Sequence, residues 1–241
     1  MKAGSVTTGL LRLLAVTAAL ALGAAGTATD VAPVNVTLYA EALCPYCASF
    51  LAETLAPLLD NGFDNVIDFR YVAWGNARRD EDGAVACQHG PAECGLDRVI
   101  SCATHLQPDR AVWLSFLLCL EAAPATDREA AVDGCAARAG IDAANLHSCA
   151  EGEQGRALEA EAEAATADLR PPHRYVPWVV VNGVPLGEDA DKLWRYVCIA
   201  YSGKRPEACY APPAAVSTSG RSRAELRASV GGRERLPMAQ L

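Results

Sequence analysis

Two cysteines separated by two residues, Cys44 and Cys47, constrain this chain more than any other feature of its sequence. They follow an apolar, β-prone run over 34–39 and precede a stretch with helical character over 48–59. A thiol at a strand-to-helix junction lies at a helix N-terminus, where backbone N–H groups and the helix dipole favour the thiolate. The second thiol lies one turn into the helix, within bonding reach of the first. The context predicts a redox-active dithiol, with a zinc half-site or a permanent disulfide as the alternatives.

Residues 1–28 have the three parts of a secretory signal peptide. Lys2 and Arg12 are the only charges before an apolar run over 13–22, and small residues follow that run. We predict cleavage near 24–28, and a retained N-terminal anchor is the alternative. The apolar run is too short to span a membrane, and no later segment has about 18 uninterrupted apolar residues. The sequence therefore predicts a protein of the secretory route, lysosomal, vacuolar or extracellular, without a membrane span.

The chain has ten cysteines, all of them after residue 28, and this even number suits an oxidising compartment. Beyond Cys44 and Cys47, eight remain whose pairing the sequence leaves open. We expect Cys198 to pair with Cys209, since each flanks a short loop that contains Gly and Pro.

The net charge of −8 and the lack of a basic stripe argue against a nucleic-acid partner. Such a partner requires clustered Lys and Arg that displace the counterions of its phosphates. Asn35, in Asn35-Val36-Thr37, lies in the only N-glycosylation sequon of the chain. Its place at the start of a predicted strand predicts an N-glycan on Asn35, and an unmodified strand residue is the alternative.

The predicted elements follow the order β-α-β, helices, β-hairpin, α. Strands are predicted at 34–39, 66–72, 178–181 and 184–186, and helices at 48–59, 112–120, 130–139, 158–169 and 189–201. Asn182-Gly183 predicts a two-residue hairpin turn between the last two strands. The segment at about 87–170 is rich in Ala, Leu and Glu and contains six cysteines, which predicts a disulfide-stapled helical insertion. This layout predicts an α/β, thioredoxin-like fold over 29–210, followed by a disordered tail at 211–241.

Val176-Pro177 immediately precedes the third predicted strand. In a thioredoxin-like layout this position packs against the Cys-x-x-Cys pair. The layout predicts a cis peptide bond there, which leaves the backbone groups of Val176 open to an incoming peptide. A trans turn proline is the alternative.

A second cluster of chemistry-bearing residues contains Cys87, His89, Cys94 and Cys102. These residues could in principle bind zinc, but their spacing fits no common zinc finger, so disulfides are predicted instead. His89 is predicted either to tune thiol chemistry or substrate access, or to be a hydrogen-bonded structural histidine. Glu93 is expected to cap a helix that begins near it.

Three stretches of the sequence resemble the gamma-interferon-inducible lysosomal thiol reductase (GILT) family. They are 34–44, the Cys-Gln-His-Gly-x-x-Glu-Cys block at 87–94, and 171–183, and the similarity covers about 33–209. The resemblance implies a thioredoxin-like fold, a soluble glycoprotein of lysosomes or the secretory route, and reduction of protein disulfides at acidic pH. It also implies that Cys44 and Cys47 are the active pair.

Two positions depart from the family pattern or vary within it. Asp97 occupies a place where the extended signature usually carries Asn. Tyr46 belongs to the pair of residues between the two cysteines, which varies within the family and can shift the reduction potential. Oxidase or isomerase activity therefore stays an alternative.

The sequence thus predicts a thiol–disulfide oxidoreductase in which Cys44 attacks a disulfide of a protein substrate and Cys47 resolves the mixed disulfide. A small thiol is expected to re-reduce the pair. No nicotinamide, flavin or metal cofactor is predicted, and the chain has no G-x-G-x-x-G motif. A non-catalytic, disulfide-stapled secreted binding protein is the alternative from a different class.

Overall fold

The computed structural model describes residues 31–210, together with Met1. Apart from Met1, the predicted signal peptide at 1–28 and the predicted tail at 211–241 lie outside the described residues. Within 31–210, no helix is long and apolar enough to cross a membrane.

A mixed sheet at the centre of the fold consists of strands β1 Val34–Ala40, β2 Ile67–Ala73, β5 Trp178–Val181 and β6 Val184–Pro185. The strand order is β2-β1-β5-β6. Strand β1 pairs in parallel with β2 and antiparallel with β5, so it lies inside the sheet. Val36 and Leu38 of β1 are fully buried. The chain that leaves the carboxyl end of β1 therefore begins at the middle of the sheet, and this is where Cys44 follows.

The helical segment after β1 comprises α1 Pro45–Phe50 and α2 Ala56–Leu58, each followed by a π-helical turn, Leu51–Leu55 and Leu59–Phe63. It begins three residues before the predicted start at 48, because Cys44 caps it and a proline suits the first turn. The helical geometry breaks at Asn61 and at Gly62, whose φ is 87°.

The segment between β2 and the first inserted helix contains turns at 74–76 and 81–82. It also contains a short antiparallel pair, β3 Arg78–Arg79 and β4 Val85–Ala86. Two-residue strands are too short to leave an alternating pattern in the sequence.

Five helices follow: α3 Pro91–Leu106, α4 Arg110–Ala122, α5 Arg128–Ala139, α6 Ala143–Glu151 and α7 Glu153–Ala167. Only α4, α5 and α7 correspond to helices predicted individually. The apolar pattern of α3 is interrupted because two of its inward-facing residues, Glu93 and Asp97, are acidic. Helix α6 has only nine residues, and Asp142 caps it by accepting hydrogen bonds from two backbone N–H groups.

Four disulfides join the remaining cysteines: Cys87–Cys94, Cys102–Cys149, Cys119–Cys135 and Cys198–Cys209. The second connects α3 to α6 and the third connects α4 to α5, so the predicted disulfide-stapled insertion is confirmed. The expected pairing of Cys198 with Cys209 is confirmed as well. The zinc site considered for the cluster around His89 is not formed, because its three cysteines, Cys87, Cys94 and Cys102, are all in disulfides.

The chain returns to the sheet through β5 and the predicted hairpin. Asn182 and Gly183 both have positive φ, 47° and 81°, as a two-residue hairpin turn requires. The helix predicted over 189–201 begins as the 3-10 segment Gly187–Lys192 and becomes α8 Leu193–Ala200.

One hydrophobic core extends from the sheet into the inserted helices. Its largest fully buried side chains come from both parts, among them Leu38, Phe63, Ile100, Phe116, Leu146 and Leu193. The insertion therefore packs on the sheet as part of the same folded unit, and its side chains reach the loop that follows β1.

Candidate active site

Cys44 and Cys47 are the only cysteines of the described residues that are not in a disulfide. Cys44 is the N-cap of α1, and its Sγ accepts a hydrogen bond from the Cys47 N–H at 3.3 Å. Cys47 lies one turn into the helix and has an exposed fraction of 0%, against 3% for Cys44. The predicted placement of both thiols, at the junction of a strand and a helix, is confirmed.

The two thiols have opposite proton affinities. A hydrogen bond from the Cys47 side chain lowers the pKa of Cys44 against the effect of burial, and backbone N–H groups of Cys47 and Tyr46 lower it further. Burial raises the pKa of Cys47 well above its usual value, and the neighbouring Cys44 raises it further. Because the thiolate is the nucleophile, Cys44 is suited to attack first and Cys47 to stay protonated until later.

The Val176-Pro177 peptide bond is cis, as predicted. It lies beside the first thiol, since Cys44 Sγ is 4.0 Å from the carbonyl oxygen of Val176. Val176 is buried and Pro177 is half-buried. The structure therefore brings Val176 and Cys44 together although 132 residues separate them in the chain. A second cis bond, Arg170-Pro171, was not predicted.

Glu41, which precedes the Cys-x-x-Cys pair by three residues, was not predicted as a site residue. Its carboxyl group is buried, with an exposed fraction of 1%, and its Oε2 accepts a hydrogen bond from the Asn76 N–H at 2.7 Å. Gly75 leaves room for it, because a Cβ there would lie 2.2 Å from Oε2. Burial raises the pKa of Glu41 to about 7. The sequence did contain a signal for Glu41 as a site residue, because it is an acid inside the apolar run that leads to Cys44.

His89 connects the Cys-Gln-His-Gly block to Glu41. Its Nδ1 lies 2.5 Å from Glu93 Oε2 and 3.5 Å from Glu41 Oε1. Glu93 Oε1 also accepts the His89 N–H at 3.1 Å, but the N-cap of α3 is Gly90 and it has no side-chain cap hydrogen bond, so Glu93 is not the cap that was expected. Gly90, the N-cap of α3, has a φ of 93°, which a residue other than glycine rarely adopts. The hydrogen-bonded interpretation of His89 is thus correct, and the ring also reaches an acid beside the dithiol.

Glu41, His89 and Glu93 offer three potential metal-ligating atoms within 4.8 Å of one another. His89 Nδ1 and Glu93 Oε2, however, already lie at hydrogen-bonding distance from each other. Hydrogen bonding therefore accounts for the close approach of these three side chains.

The loop between β1 and Cys44 is fixed by side chains from the insertion. Asp97 Oδ1 on α3 accepts the Ala42 N–H at 2.9 Å, and Arg128 on α5 donates to the Ala42 carbonyl. Arg128 also pairs with Glu121 at 2.8 Å, with both side chains buried. Helices α3 and α5 thus hold the N–H and the carbonyl group of Ala42, two residues before Cys44.

Asp97→Asn is expected to stabilise the protein more strongly at pH about 8 than at pH about 5. Burial raises the pKa of Asp97 well above its usual value. The folded state therefore binds this proton more tightly than the unfolded state, and stability falls as pH rises from about 4 through the folded-state pKa. Asparagine is neutral at every pH and keeps an acceptor for the Ala42 N–H. Thermal melting should show a gain of a few degrees at pH about 8 and a smaller gain at pH about 5.

Asp68→Asn is the matched control, because Asp68 is an exposed acid on β2. It should change the melting temperature little at either pH. If Asp97→Asn lowers the melting temperature by the same amount at both pH values, Asp97 is not a neutral carboxyl in the folded protein.

A dithiol at the N-terminus of a helix, beside a cis-proline loop and on a central mixed sheet, defines the class of thiol–disulfide oxidoreductases. Solved structures support the fold. The chain is similar to the DsbA of Chlamydia trachomatis, with a TM-score of 0.54, 16% identity, and coverage of 69% of this chain and 85% of that one. It is also similar to oxidised BdbD of Bacillus subtilis, with a TM-score of 0.54, 15% identity, and coverage of 70% and 87%. The predicted thioredoxin-like fold is confirmed.

Sequence comparisons give the family. Residues 35–139 match the family described as gamma interferon inducible lysosomal thiol reductase (GILT). The chain is 34% identical to the gamma-interferon-responsive lysosomal thiol protein of Arabidopsis thaliana, over 83% of each chain. It is 34% identical to the gamma-interferon-inducible lysosomal thiol reductase of Mus musculus, over 73% of this chain and 72% of the mouse protein. The chain belongs to the GILT family, and family and fold together support thiol–disulfide oxidoreductase activity.

Proposed function

We propose that this protein reduces disulfide bonds in polypeptide substrates with the Cys44–Cys47 dithiol. The observation that carries this proposal is the asymmetry of the pair. Cys44 has a lowered pKa and caps a helix, whereas the pKa of the fully buried Cys47 is raised. One thiol is suited to attack a substrate and the other to release it.

The reaction has two exchange steps. The Cys44 thiolate attacks one sulfur of the substrate disulfide, forms a mixed disulfide and expels the other substrate sulfur. Cys47 then attacks Cys44 Sγ, which forms the Cys44–Cys47 bond and releases the second substrate sulfur. The substrate gains two electrons and the enzyme loses two. A small thiol from the compartment reduces the enzyme again.

We assign the substrate-binding surface to the residues around Cys44. The Val176 carbonyl lies beside the thiol, and the Val176-Pro177 segment faces it. Tyr46, between the two cysteines, has an exposed fraction of 47% and offers an apolar contact to a bound polypeptide. An extended substrate segment would lie between these two features, with its disulfide above Cys44.

The proposed setting is an acidic compartment of the secretory route, reached by means of the signal peptide predicted at 1–28. The names of the plant and mouse relatives refer to lysosomes. The four disulfides fit an oxidising route to that compartment. Asn35 is exposed at the start of β1 and remains the proposed glycosylation site.

An insulin reduction assay with cysteine as the small-thiol donor tests this function at pH about 5 and about 7. The protein should accelerate insulin precipitation well above the rate given by cysteine alone, and the acceleration should require both Cys44 and Cys47. A rate equal to that of free cysteine at both pH values would overturn the proposal. Reactivation of a scrambled protein without net reduction would favour an isomerase instead.

A further inference from the structure

The Cys119–Cys135 disulfide, which connects α4 to α5, differs from the other three bridges in its surroundings. Cys119 is half-buried, whereas Cys135 has an exposed fraction of 1%. The guanidinium group of Arg138 lies within hydrogen-bond distance of both sulfurs and is 3.2 Å from Cys135 Sγ. Within 31–210, no other positively charged side chain makes such a contact with a disulfide sulfur. This bridge therefore has one end near solvent and a cation beside it.

We propose that Cys119–Cys135 is a second thiol–disulfide exchange site, which small thiols open at Cys119, and that its opening releases α5 from the loop that leads to Cys44. A thiolate attacks the disulfide sulfur that it can reach, and the other sulfur leaves as a thiolate. Cys119 is the end of this bond nearer to solvent, and Cys135 stays beside Arg138. A positive charge next to the departing sulfur favours its thiolate form and so speeds its release.

The exchange has two balanced steps. The thiolate of a small thiol such as cysteine attacks Cys119 Sγ, a mixed disulfide forms on Cys119, and Cys135 leaves as a thiolate. A second small thiolate attacks the small-thiol sulfur of that mixed disulfide, which forms the small-molecule disulfide and releases Cys119 as a thiolate. The bridge gains two electrons and each small thiol loses one. The two protein thiolates take up the two protons that the small thiols lost.

The bridge is one of the few attachments of α5 to the rest of the protein. The buried side chains of this helix are Arg128, Val132, Cys135 and Ala136. Cys135 crosses to α4 through the disulfide, and Arg128 crosses to α4 through its ion pair with Glu121. A helix with so short a buried face depends on such cross-links, because helical stability in proteins comes mostly from packing.

The same helix holds the loop before the active pair. Arg128, the first residue of α5, donates to the carbonyl of Ala42, two residues before Cys44. Opening of the bridge leaves the ion pair with Glu121 as the remaining cross-link between α4 and α5, so the contact with Ala42 is less firmly held. The position of Cys44 at its helix N-terminus thus becomes sensitive to the concentration of small thiol.

Time-resolved alkylation of the oxidised full chain in cysteine solution tests the exchange site. Once the active pair is labelled, the next labels should appear at Cys119 and Cys135, and a cysteine molecule should be found attached to Cys119. Arg138→Gln should slow this opening about 5-fold, the scale of one charge close to the sulfur near a protein surface. Arg138→Lys keeps the charge and should slow it less. Arg156→Gln, at an exposed arginine of α7, is the control and should leave the rate unchanged.

Two outcomes of that experiment would overturn the exchange site. One is opening of Cys119–Cys135 together with the other three bridges or after them. The other is an opening rate in Arg138→Gln equal to that of the unchanged protein. Neither outcome depends on insulin reduction, so a negative insulin assay would count against the proposed function and not against this site.

The connection to the active site is tested with Cys119→Ala/Cys135→Ala, in which the bridge is permanently absent. After mild reduction of the active pair, the alkylation rate of Cys44 by iodoacetamide is followed across pH and gives the apparent pKa of this thiol. This pKa should be higher in the variant, and alkylation at pH about 5 should be about 3- to 10-fold slower, within the range of couplings transmitted through packed contacts. Cys198→Ala/Cys209→Ala, which removes a bridge outside α4 and α5, is the matched control and should change neither quantity.

A single substitution keeps the test decisive if the double variant fails to fold. Cys119→Ser alters only the half-buried end of the bridge and should raise the apparent pKa of Cys44 in the same way. Peptide mapping distinguishes alkylation of Cys44 from alkylation of the freed Cys135. An unchanged pH profile of Cys44 in the variants that lack the bridge would overturn the proposed connection between the bridge and the active site.

Discussion

Cys47→Ser is expected to accumulate mixed disulfides with substrate, whereas Cys44→Ser should reduce no substrate and trap almost none. In Cys47→Ser the serine hydroxyl can donate the side-chain hydrogen bond that contributes most to the lowered pKa of Cys44, the backbone N–H groups that also lower it remain, and Cys44 keeps its place as N-cap of α1. The attack on substrate therefore proceeds, but no thiol can release the product. Removal of Cys44 leaves only a fully buried thiol with a raised pKa. Reduction of insulin by Cys44→Ser should fall to the rate of the small thiol alone.

Non-reducing gels and intact mass measurement of reactions with insulin distinguish the two variants. The Cys47→Ser adduct should add the mass of insulin, or of one of its chains once both interchain disulfides are open, and disappear with excess reductant. A variant that replaces both cysteines is the control and should form no adduct. Equal trapping by the two single variants would show that the roles of Cys44 and Cys47 are wrongly assigned.

Arg128→Met should reduce the free energy of unfolding by about 3–5 kcal/mol, the range for breaking a buried ion pair from one side. Arg128 is buried, pairs with Glu121 at 2.8 Å and donates to the carbonyls of Glu121, Ala123 and Ala42. Burial raises the pKa of Glu121 to about 8 and Arg128 opposes this rise, so removal of Arg128 leaves a buried carboxyl group without its partner and frees the loop that leads to Cys44. Urea unfolding monitored by circular dichroism measures the loss, and the same variant should reduce insulin more slowly.

A second substitution distinguishes the lost pair from general damage to the core. Arg128→Met combined with Glu121→Gln removes both charges and should recover part of the stability, because no buried charge is left unpaired. Arg156→Met, at an exposed position on α7, is the control for loss of an arginine and should change the unfolding free energy by less than about 0.5 kcal/mol. If the double variant is as unstable as the sum of the two single variants, the charges do not act as a pair.

The parts of the fold that were predictable from sequence depend on local signals. The alternating residues of β1 and the positive-φ pair Asn182-Gly183 are encoded within a few positions. The cysteine pair also marks the start of α1, because Cys44 is the N-cap of this helix. The position of Pro177 beside Cys44 followed from the order of elements, which fixes the strand that packs next to the helix.

The parts that were missed depend on contacts between distant residues. Glu41 is a site residue because Gly75 and Asn76, about 35 positions later, surround its carboxyl group. Ala42 is held by Arg128, 86 positions away. Apart from the apolar run around Glu41, no neighbouring residue separates this acid from a surface acid, and none separates Arg128 from a surface arginine. The partners of Cys102 and Cys119 were undetermined for the same reason, since pairing depends on how the helices pack.

Thiol counting after mild reduction tests most directly the claim that Cys44 and Cys47 are a redox-active pair and not a structural bridge. The air-oxidised protein is equilibrated with increasing concentrations of a small dithiol, quenched with an alkylating agent and analysed by peptide mass mapping. Two labels should appear first, on Cys44 and Cys47, at concentrations that leave the other four disulfides closed. Opening of the Cys44–Cys47 bond together with the other four, or after any of them, would contradict the account.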